Sequence, residues 1–297
     1  MSTTRPTVVP VLARPAAYLA LTKPDVSLLV VLTTAAGFYL GSRGPLDPLR
    51  LAHAVFGTTL IAAGTSALNH YFERDSDARM RRTAARPLPS GQLEPAEALR
   101  FGVGLAATGT IYLAFAAGAL ASLLGLAACV CYLGAYTPLK KRTTLATLVG
   151  AFPGAVPPLI GWAAARGALS LDAWILYAIV FLWQFPHFLA IAWMYREDYA
   201  RAGIRMLPVV DRSGATTFRQ IVLTAIALLF VSLLPTIVGL AGVRYFFGAL
   251  VAGLGLVQLC LSAARAKTNV RAKWLLHATV LYLPLLLGLM MFDKLAL

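Results

Sequence analysis

The sequence predicts an all-α polytopic membrane protein with nine transmembrane helices around a central cavity and a cytoplasmic N-terminus. Three observations support this fold class: an apolar composition, nine long apolar segments and an uneven placement of the basic residues. Of the 297 residues, 59% are hydrophobic and 13% are charged, and the mean hydropathy is +0.74. A soluble domain is about half apolar and about a quarter charged. The composition therefore excludes an ordinary soluble protein.

Nine apolar segments are each long enough to cross a bilayer as a helix. A spanning helix needs roughly 20 apolar residues, because only a helix satisfies all of its backbone polar groups within one segment. The short alternating segments of a membrane β-barrel are absent from the sequence. We therefore predict a single membrane domain over residues 1–297. Its predicted spans are residues 25–42, 51–72, 95–115, 118–136, 143–164, 172–195, 217–239, 243–264 and 273–293.

The basic residues predict the orientation of these spans. With a cytoplasmic N-terminus, all but five of the 26 lysines and arginines fall in cytoplasmic segments. By the positive-inside rule, this favours an N-terminus inside and a C-terminus outside. The net charge of +14 is spread over five cytoplasmic segments, so it favours contact with anionic lipid over a nucleic-acid partner. The five exceptions are Arg43, Arg50, Arg166, Arg244 and Lys294.

Three cytoplasmic segments are long enough to contribute more than a tight turn. Residues 1–24 form a polar N-terminal segment without the apolar region of a signal peptide, which favours a bacterial or archaeal inner membrane. The loops 73–94 and 196–216 each follow an even-numbered span and open with an acidic cluster. Because both loops lie on the same side, we predict that they are active-site loops facing one cavity.

The first acidic cluster has the spacing of a metal site. Asn69, Glu73 and Asp77 are spaced i, i+4, i+8, so a continuing helix places them on one face, whereas Asp75 lies off it. Carboxylate and amide oxygens suit Mg²⁺. Asn69 and Asp77 are about 12 Å apart along such a helix, so they cannot share an ion, and we predict one or two Mg²⁺ ions. The alternative is a solvated helix end paired with its own arginines.

Basic side chains follow two of the predicted spans. Guanidinium groups bind phosphate oxygens in a fork, so Arg82 and Arg86, one helical turn apart, are candidates for binding a diphosphate. The consecutive Lys140, Lys141 and Arg142 after the fourth span are further candidates. The alternative for both groups is that they act only as topological signals at the membrane surface.

The fifth and sixth spans contain helix-breaking residues. Three glycines and three prolines within residues 150–161 predict a broken helix that lines a substrate chamber. In the sixth span, His187 follows Pro186 and could ligate iron, position a porphyrin or move a proton. The alternative for His187 is a hydrogen-bonded histidine between helices. Glu197 and Asp198 follow this span as a second carboxylate cluster.

At these residues the chain resembles the haem-farnesylating branch of the UbiA-type intramembrane prenyltransferases. The resemblance covers nearly the whole chain, and several blocks match in the right order. One departure is that Tyr195 and Tyr199 stand at the ends of the second motif, where the wider family has acidic residues. The matching blocks are Asn69-x3-Glu73-Arg74-Asp75-Ser76-Asp77, Met80-x-Arg82-Thr83-x2-Arg86-Pro87-Leu88, residues 154–162, Pro186-His187-Phe188 and residues 198–208.

The resemblance implies transfer of the farnesyl group of farnesyl diphosphate to a vinyl group of haem b. Water is added in the same reaction, and the product, haem O, serves haem-copper terminal oxidases. The implied cofactor is Mg²⁺, and a downstream haem A synthase is the implied partner. The implied catalytic residues are Asn69, Glu73, Asp77, Glu197 and Asp198, of which all but Glu197 are implied metal ligands; the implied haem contacts are Trp183, His187 and Tyr199.

Two other functions remain open at this point. A UbiA-type enzyme that prenylates a quinone precursor or another ring would use the same ion and diphosphate site. An ion-coupled secondary transporter would also have a broken helix and intramembrane polar groups. The acidic clusters lie at one membrane face rather than near the midplane, which disfavours the transporter.

Overall fold

The computed structural model describes residues 13–295, and the regular secondary structure of this part of the chain is helical apart from one isolated bridge between Ala241 and Lys294. Its helices include nine that are long and apolar enough to cross a membrane, which confirms the predicted all-α membrane fold and the span count, whereas the orientation of the N-terminus stays a prediction. Residues 1–12 of the predicted N-terminal segment lie outside the described residues. The nine helices are α1 (Pro24–Gly41), α2 (Pro48–Asp77), α3 (Pro95–Ala116), α4 (Ala119–Leu139), α5 (Ala146–Arg166), α6 (Leu171–Met194), α7 (Ala215–Ile237), α8 (Val243–Ala266) and α9 (Asn269–Phe292).

Prolines and side-chain caps fix where the first helices start. Helices α1, α2 and α3 begin at Pro24, Pro48 and Pro95. Proline suits the first position of a helix, because its φ is already helical and no N–H is needed there. Asp47 precedes α2 and accepts a hydrogen bond from the backbone N of Arg50 at 3.0 Å. The sequence thus specifies these boundaries locally, before any tertiary packing.

The predicted active-site loops have different boundaries in the structure. Helix α2 continues to Asp77, so Glu73 and Asp77 are helical and the first loop begins at Ala78 rather than at residue 73. The second loop, predicted as residues 196–216, contains two short helices, Arg196–Arg201 and Leu207–Val210. The acidic residues of both segments therefore lie in helices, and the helical backbone fixes the direction of each side chain.

Helix α5 is broken, as its prolines and glycines predict. Its first half ends at Gly154, and its second half starts at Pro157, because prolines lack the N–H that would continue the ladder. The Gln184 side chain donates to the Ala151 carbonyl at 3.1 Å and so binds α6 to the first half. The second half packs so closely on α1 that a Cβ at Gly161 would collide with the α1 backbone.

One end of the bundle, at which α2, α4, α6 and α8 finish, contains the connecting segments that follow these four helices, and we call it the charged end. Met80, after α2, is buried together with Ala202 and Ile204, which follow α6. The Arg205 backbone N donates to the Lys140 carbonyl at 2.8 Å, which ties the segment after α6 to the end of α4. The fold therefore gathers the predicted acidic and basic residues at one end.

Candidate active site

Each oxygen ligand predicted on α2 is paired with a basic side chain from another part of the chain. Asn69 and Asp77 are buried, and Glu73 is partly buried. Charges taken out of water need such partners, because an unpaired buried carboxylate is costly. The three pairs are Lys23 Nζ with Asn69 Oδ1 at 2.9 Å, Lys140 Nζ with Glu73 Oε1 at 2.7 Å, and Arg86 Nη1 with Asp77 Oδ2 at 2.7 Å.

A widened turn at the end of α4 leads to Lys140. The five residues Tyr132–Tyr136 form a π-helical turn, a feature that is frequent at functional sites. The Lys140 ammonium lies 4.3 Å from the centroid of the Tyr136 ring. Thr137 Oγ1 accepts a long hydrogen bond from the Asn69 amide at 3.5 Å. Through these contacts, α4 supplies both the cation for Glu73 and a support for Asn69.

Asp77 has a carboxylate oxygen that accepts no hydrogen bond from the described residues. Its Oδ2 accepts from Arg86, whereas its buried Oδ1 has no hydrogen-bond partner. A buried oxygen in this state costs free energy, and a hard cation would satisfy it. Within the described residues, no three His, Cys, Asp or Glu side chains converge as a metal cluster. The residues fit an ion whose shell is completed by substrate oxygens and water, as is usual for Mg²⁺.

The second acidic segment meets the first through Arg82. The Arg82 backbone N donates to Asp198 Oδ2 at 3.4 Å, and its guanidinium donates to the Tyr199 hydroxyl at 3.2 Å. The same guanidinium lies over the ring of Tyr195, 4.8 Å from its centroid. Asp198 is buried and also pairs with Arg201. The structure thus brings together Arg82, Asp198 and Tyr199, three residues predicted for the site.

Three predicted residues point elsewhere. Glu197 is exposed, although its neighbour Asp198 is buried, because consecutive residues of a helix face different directions. Lys141 and Arg142 are likewise exposed, whereas Lys140 reaches Glu73. The structure does not bring these three side chains to the paired oxygens of α2.

His187 and Trp183 lie on α6 and contact Thr279 of α9. The Trp183 indole donates to the Thr279 carbonyl at 2.7 Å, and His187 Nδ1 lies 2.9 Å from Thr279 Oγ1. Thr279 Oγ1 also lies 2.7 Å from the Leu276 carbonyl, and in the arrangement in which this hydroxyl donates to that carbonyl, His187 Nδ1 donates to Thr279. His187 is therefore a hydrogen-bonded histidine between helices, and in that arrangement a lone pair is left on Nε2. A role in binding haem stays a prediction.

Sequence reasoning missed Lys23 as a site residue, since it was counted only as a topological charge. Burial lowers the pKa of Lys23 to about 7, and the neighbouring Arg86 and Lys140 cations add to this effect, against the nearby carboxylates. The available signal was a lysine directly before Pro24, at the start of the first span. Tyr136 and Thr137 were missed as well, although they stand just before the basic residues that were singled out.

Two surface hollows lie apart from these residues. One, of about 410 Å³, is lined by Tyr18 and Phe101, and the other, of about 520 Å³, by Tyr112 and Phe115. Neither is lined by the paired residues, so the central cavity stays a prediction.

Fold and site together define a polytopic membrane protein whose charged end is suited to an anionic substrate and a hard cation. The model of the UbiA prenyltransferase family matches residues 30–291. The chain belongs to this family, as its motifs predict, and is an integral membrane prenyltransferase.

Relatives and solved structures agree with this assignment. A protein from Solibacter usitatus named protoheme IX farnesyltransferase is 49% identical over 93% of this chain and 98% of its own. The structure of a digeranylgeranylglyceryl phosphate synthase is similar with a TM-score of 0.78 at 16% identity, over 95% of this chain and 98% of that one. A UbiA homolog from Archaeoglobus fulgidus bound to DMAPP and Mg²⁺ has a TM-score of 0.66 at 16% identity, over 92% and 98%. At these identities the solved structures support the fold alone.

Proposed function

We propose that this chain transfers the farnesyl group of farnesyl diphosphate to a vinyl group of haem b, with addition of water, to give haem O. The observation that carries the proposal is the set of oxygen ligands on α2, each held by a cation and one with a free buried oxygen. The choice of haem as acceptor is supported by the name of the Solibacter usitatus relative, which is 49% identical over nearly the whole chain.

The proposed location is the inner membrane, with the charged end facing the cytoplasm. The bias of basic residues towards this end supports that orientation, because positive loops stay on the cytoplasmic side. The farnesyl chain makes haem O more apolar than haem b, so the product would stay in the bilayer, where a haem A synthase would consume it.

The proposed ion site uses Asn69, Glu73 and Asp77, with Asp198 at its edge. All four offer hard oxygens, and the free Oδ1 of Asp77 is the position that most needs a cation. Bound there, Mg²⁺ would supply Lewis-acid stabilisation of the departing diphosphate. The choice of metal rests on these hard oxygen donors, and the structure of a UbiA homolog from Archaeoglobus fulgidus contains the same ion.

The basic side chains have the complementary task of binding the diphosphate. In the reaction the allylic C–O bond breaks and its electron pair leaves with the diphosphate, so negative charge accumulates on the phosphate oxygens. Arg86 and Lys140 contact ligands of α2, Arg82 lies beside Asp198 and Tyr199, and the three side chains would stabilise that charge. The vinyl carbon then bonds to the farnesyl carbon, and the oxygen of water bonds to the remaining cation and releases a proton. The roles of the exposed Lys141, Arg142 and Glu197 would be limited to the rim of the site.

The proposed haem contacts are His187, Trp183 and Tyr199. His187 is the best supported, because with its Nδ1–H donated to Thr279 its Nε2 lone pair is left for an external group. A neutral imidazole nitrogen in this state is suited to iron or to an acidic proton.

The test is a product assay with the full chain in membranes, supplied with haem b, Mg²⁺ and farnesyl diphosphate. We expect a haem product whose mass has increased by one farnesyl group and one hydroxyl group. A phenolic acceptor is assayed in parallel, and transfer to the phenol alone would refute the haem assignment and favour a quinone-type enzyme.

A further inference from the structure

Lys23 donates a hydrogen bond to the Asn69 oxygen that the proposed metal site would need. Its Nζ donates to Asn69 Oδ1 at 2.9 Å, and the Asn69 amide nitrogen is turned towards Thr137. This orientation leaves the carbonyl oxygen of Asn69 bound to a cation of the protein itself. A metal ion that takes this oxygen has to displace the lysine.

The backbone holds Lys23 in an uncommon conformation. Its φ of 47° and ψ of 70° are left-handed, and it precedes Pro24, a position at which residues prefer an extended backbone. Such strain persists only where the surroundings enforce it, and it concentrates at functional sites.

The helix Ala13–Leu21 is what enforces it. Ala17 and Leu21 of this helix are buried in a cluster with Ala67 of α2 and Leu93 beyond it. The helix is therefore anchored on α2 beside Ala67, close to Asn69, and the chain must turn sharply at Lys23 to enter α1. The packing directs the lysine side chain towards Asn69.

The charges around Lys23 favour an anion over the present contact. Arg86 and Lys140 are its neighbours and repel the Lys23 cation, whereas the carboxylates of Glu73 and Asp77, each already paired with one of them, attract it. A diphosphate placed among the three cations would relieve this repulsion and would offer charged oxygens in place of the neutral amide oxygen of Asn69.

We propose that Lys23 holds Asn69 while the site is empty and moves to the diphosphate when substrate binds, which frees Asn69 for the metal ion. This inference rests on the proposed function. Its consequence is a coupling between two ligands: the lysine weakens binding of the ion alone, and diphosphate, by drawing the lysine away, strengthens it. Coupling of this kind is reciprocal.

The test compares Lys23→Met with Lys267→Met in the purified full-length protein. Lys267 is a matched control because it is also left-handed, with φ 51°, and it contacts the Ser213 carbonyl instead of the site. Calorimetric titrations use MgCl₂ alone, and inorganic pyrophosphate at fixed free Mg²⁺. For Lys23→Met we expect tighter binding of Mg²⁺ alone, by a fewfold, and roughly 10- to 100-fold weaker binding of pyrophosphate, the range for loss of a charge-assisted hydrogen bond. Lys267→Met should match the wild type in both titrations.

Two results would overturn the proposed movement of Lys23 from Asn69 to the diphosphate. Unchanged pyrophosphate affinity removes Lys23 from the diphosphate site, and weaker or unchanged Mg²⁺ binding alone shows that the lysine does not compete for Asn69. If Lys23→Met fails to fold in a thermal melt, Lys23→Gln provides the same comparison with a polar side chain. Farnesylated haem made by the wild type, with unaltered affinities in Lys23→Met, refutes the lysine's role and leaves the proposed function standing. If the affinities of Lys23→Met change as expected but the wild type makes no farnesylated haem, the proposed function is refuted and the role of the lysine stands.

Discussion

Replacing Asp77 with Asn should separate activity from stability. Asp77 is only 1% exposed, and Arg86 binds one of its oxygens at 2.7 Å while the other has no partner. Asn keeps the shape and an acceptor for Arg86 but removes the charge. We expect the Asp77→Asn variant to fold nearly as well as the wild type and to lose most of its turnover.

The two effects on stability have opposite signs. Weakening the charge-assisted bond to Arg86 costs about 1.5–3 kcal/mol, and removing a buried, unsatisfied carboxylate oxygen recovers about 1–3 kcal/mol. The terms offset to within about 2 kcal/mol, which corresponds to a change in melting temperature of no more than about 6 °C. Turnover should fall by about 10²–10³-fold, the usual cost of removing one group that stabilises charge in the transition state.

The assay measures the thermal melt of purified protein beside the rate of haem product formation at saturating Mg²⁺. Asp75→Asn is the matched control, because the Asp75 side chain is 72% exposed and lies two residues away, off the ligand face. It should leave both quantities unchanged. The reasoning fails if Asp77→Asn lowers the melting temperature by more than about 10 °C, or if it retains over about a tenth of wild-type turnover.

Three further predictions follow from individual contacts. Lys140→Met should reduce product formation by at least about tenfold, and Lys141→Met should reduce it less, because Lys140 alone of the two contacts Glu73; equal losses would contradict the structure. Thr279→Val removes the hydrogen-bond partner of His187 Nδ1 and should shift the absorption spectrum of bound haem, whereas identical spectra in the wild type and the variant would exclude His187 from the haem contacts. Gly161→Val should cost at least about 1–3 kcal/mol, because its side chain meets the backbone of α1; a melting temperature equal to that of the wild type would refute that close approach.

The spans and the ligand face could be predicted because both depend on local rules. A span is a run of apolar residues of bilayer length, and Asn69, Glu73 and Asp77 share a face through the helical period alone. Even the break in α5 follows from its prolines. The three residues share a face only if helix α2 continues to Asp77, and in the structure it does.

The partners of those ligands could not be predicted, because they come from distant parts of the chain. Lys23 is 46 residues from Asn69, and Lys140 is 67 from Glu73. Which of three consecutive basic residues reaches Glu73 depends on the π-helical turn at the end of α4, and a single-residue shift would substitute Lys141. No composition or spacing rule specifies that turn.

The pairing of every ligand on α2 with its own cation is better explained by substrate exchange than by stability. A buried ion pair is weak evidence for stability, since well-packed apolar residues of similar size are often as stable or more so. The pairs instead keep carboxylates charged and oriented at the end of a membrane bundle while no ion is present. Under the proposed function, the cations that pair with Asp77 and Glu73 are also the proposed partners of the phosphate oxygens. Binding of the metal with its diphosphate would then replace three internal pairs by contacts to the substrate, and the net charge of the site would change little. This arrangement favours binding of both together over binding of either alone.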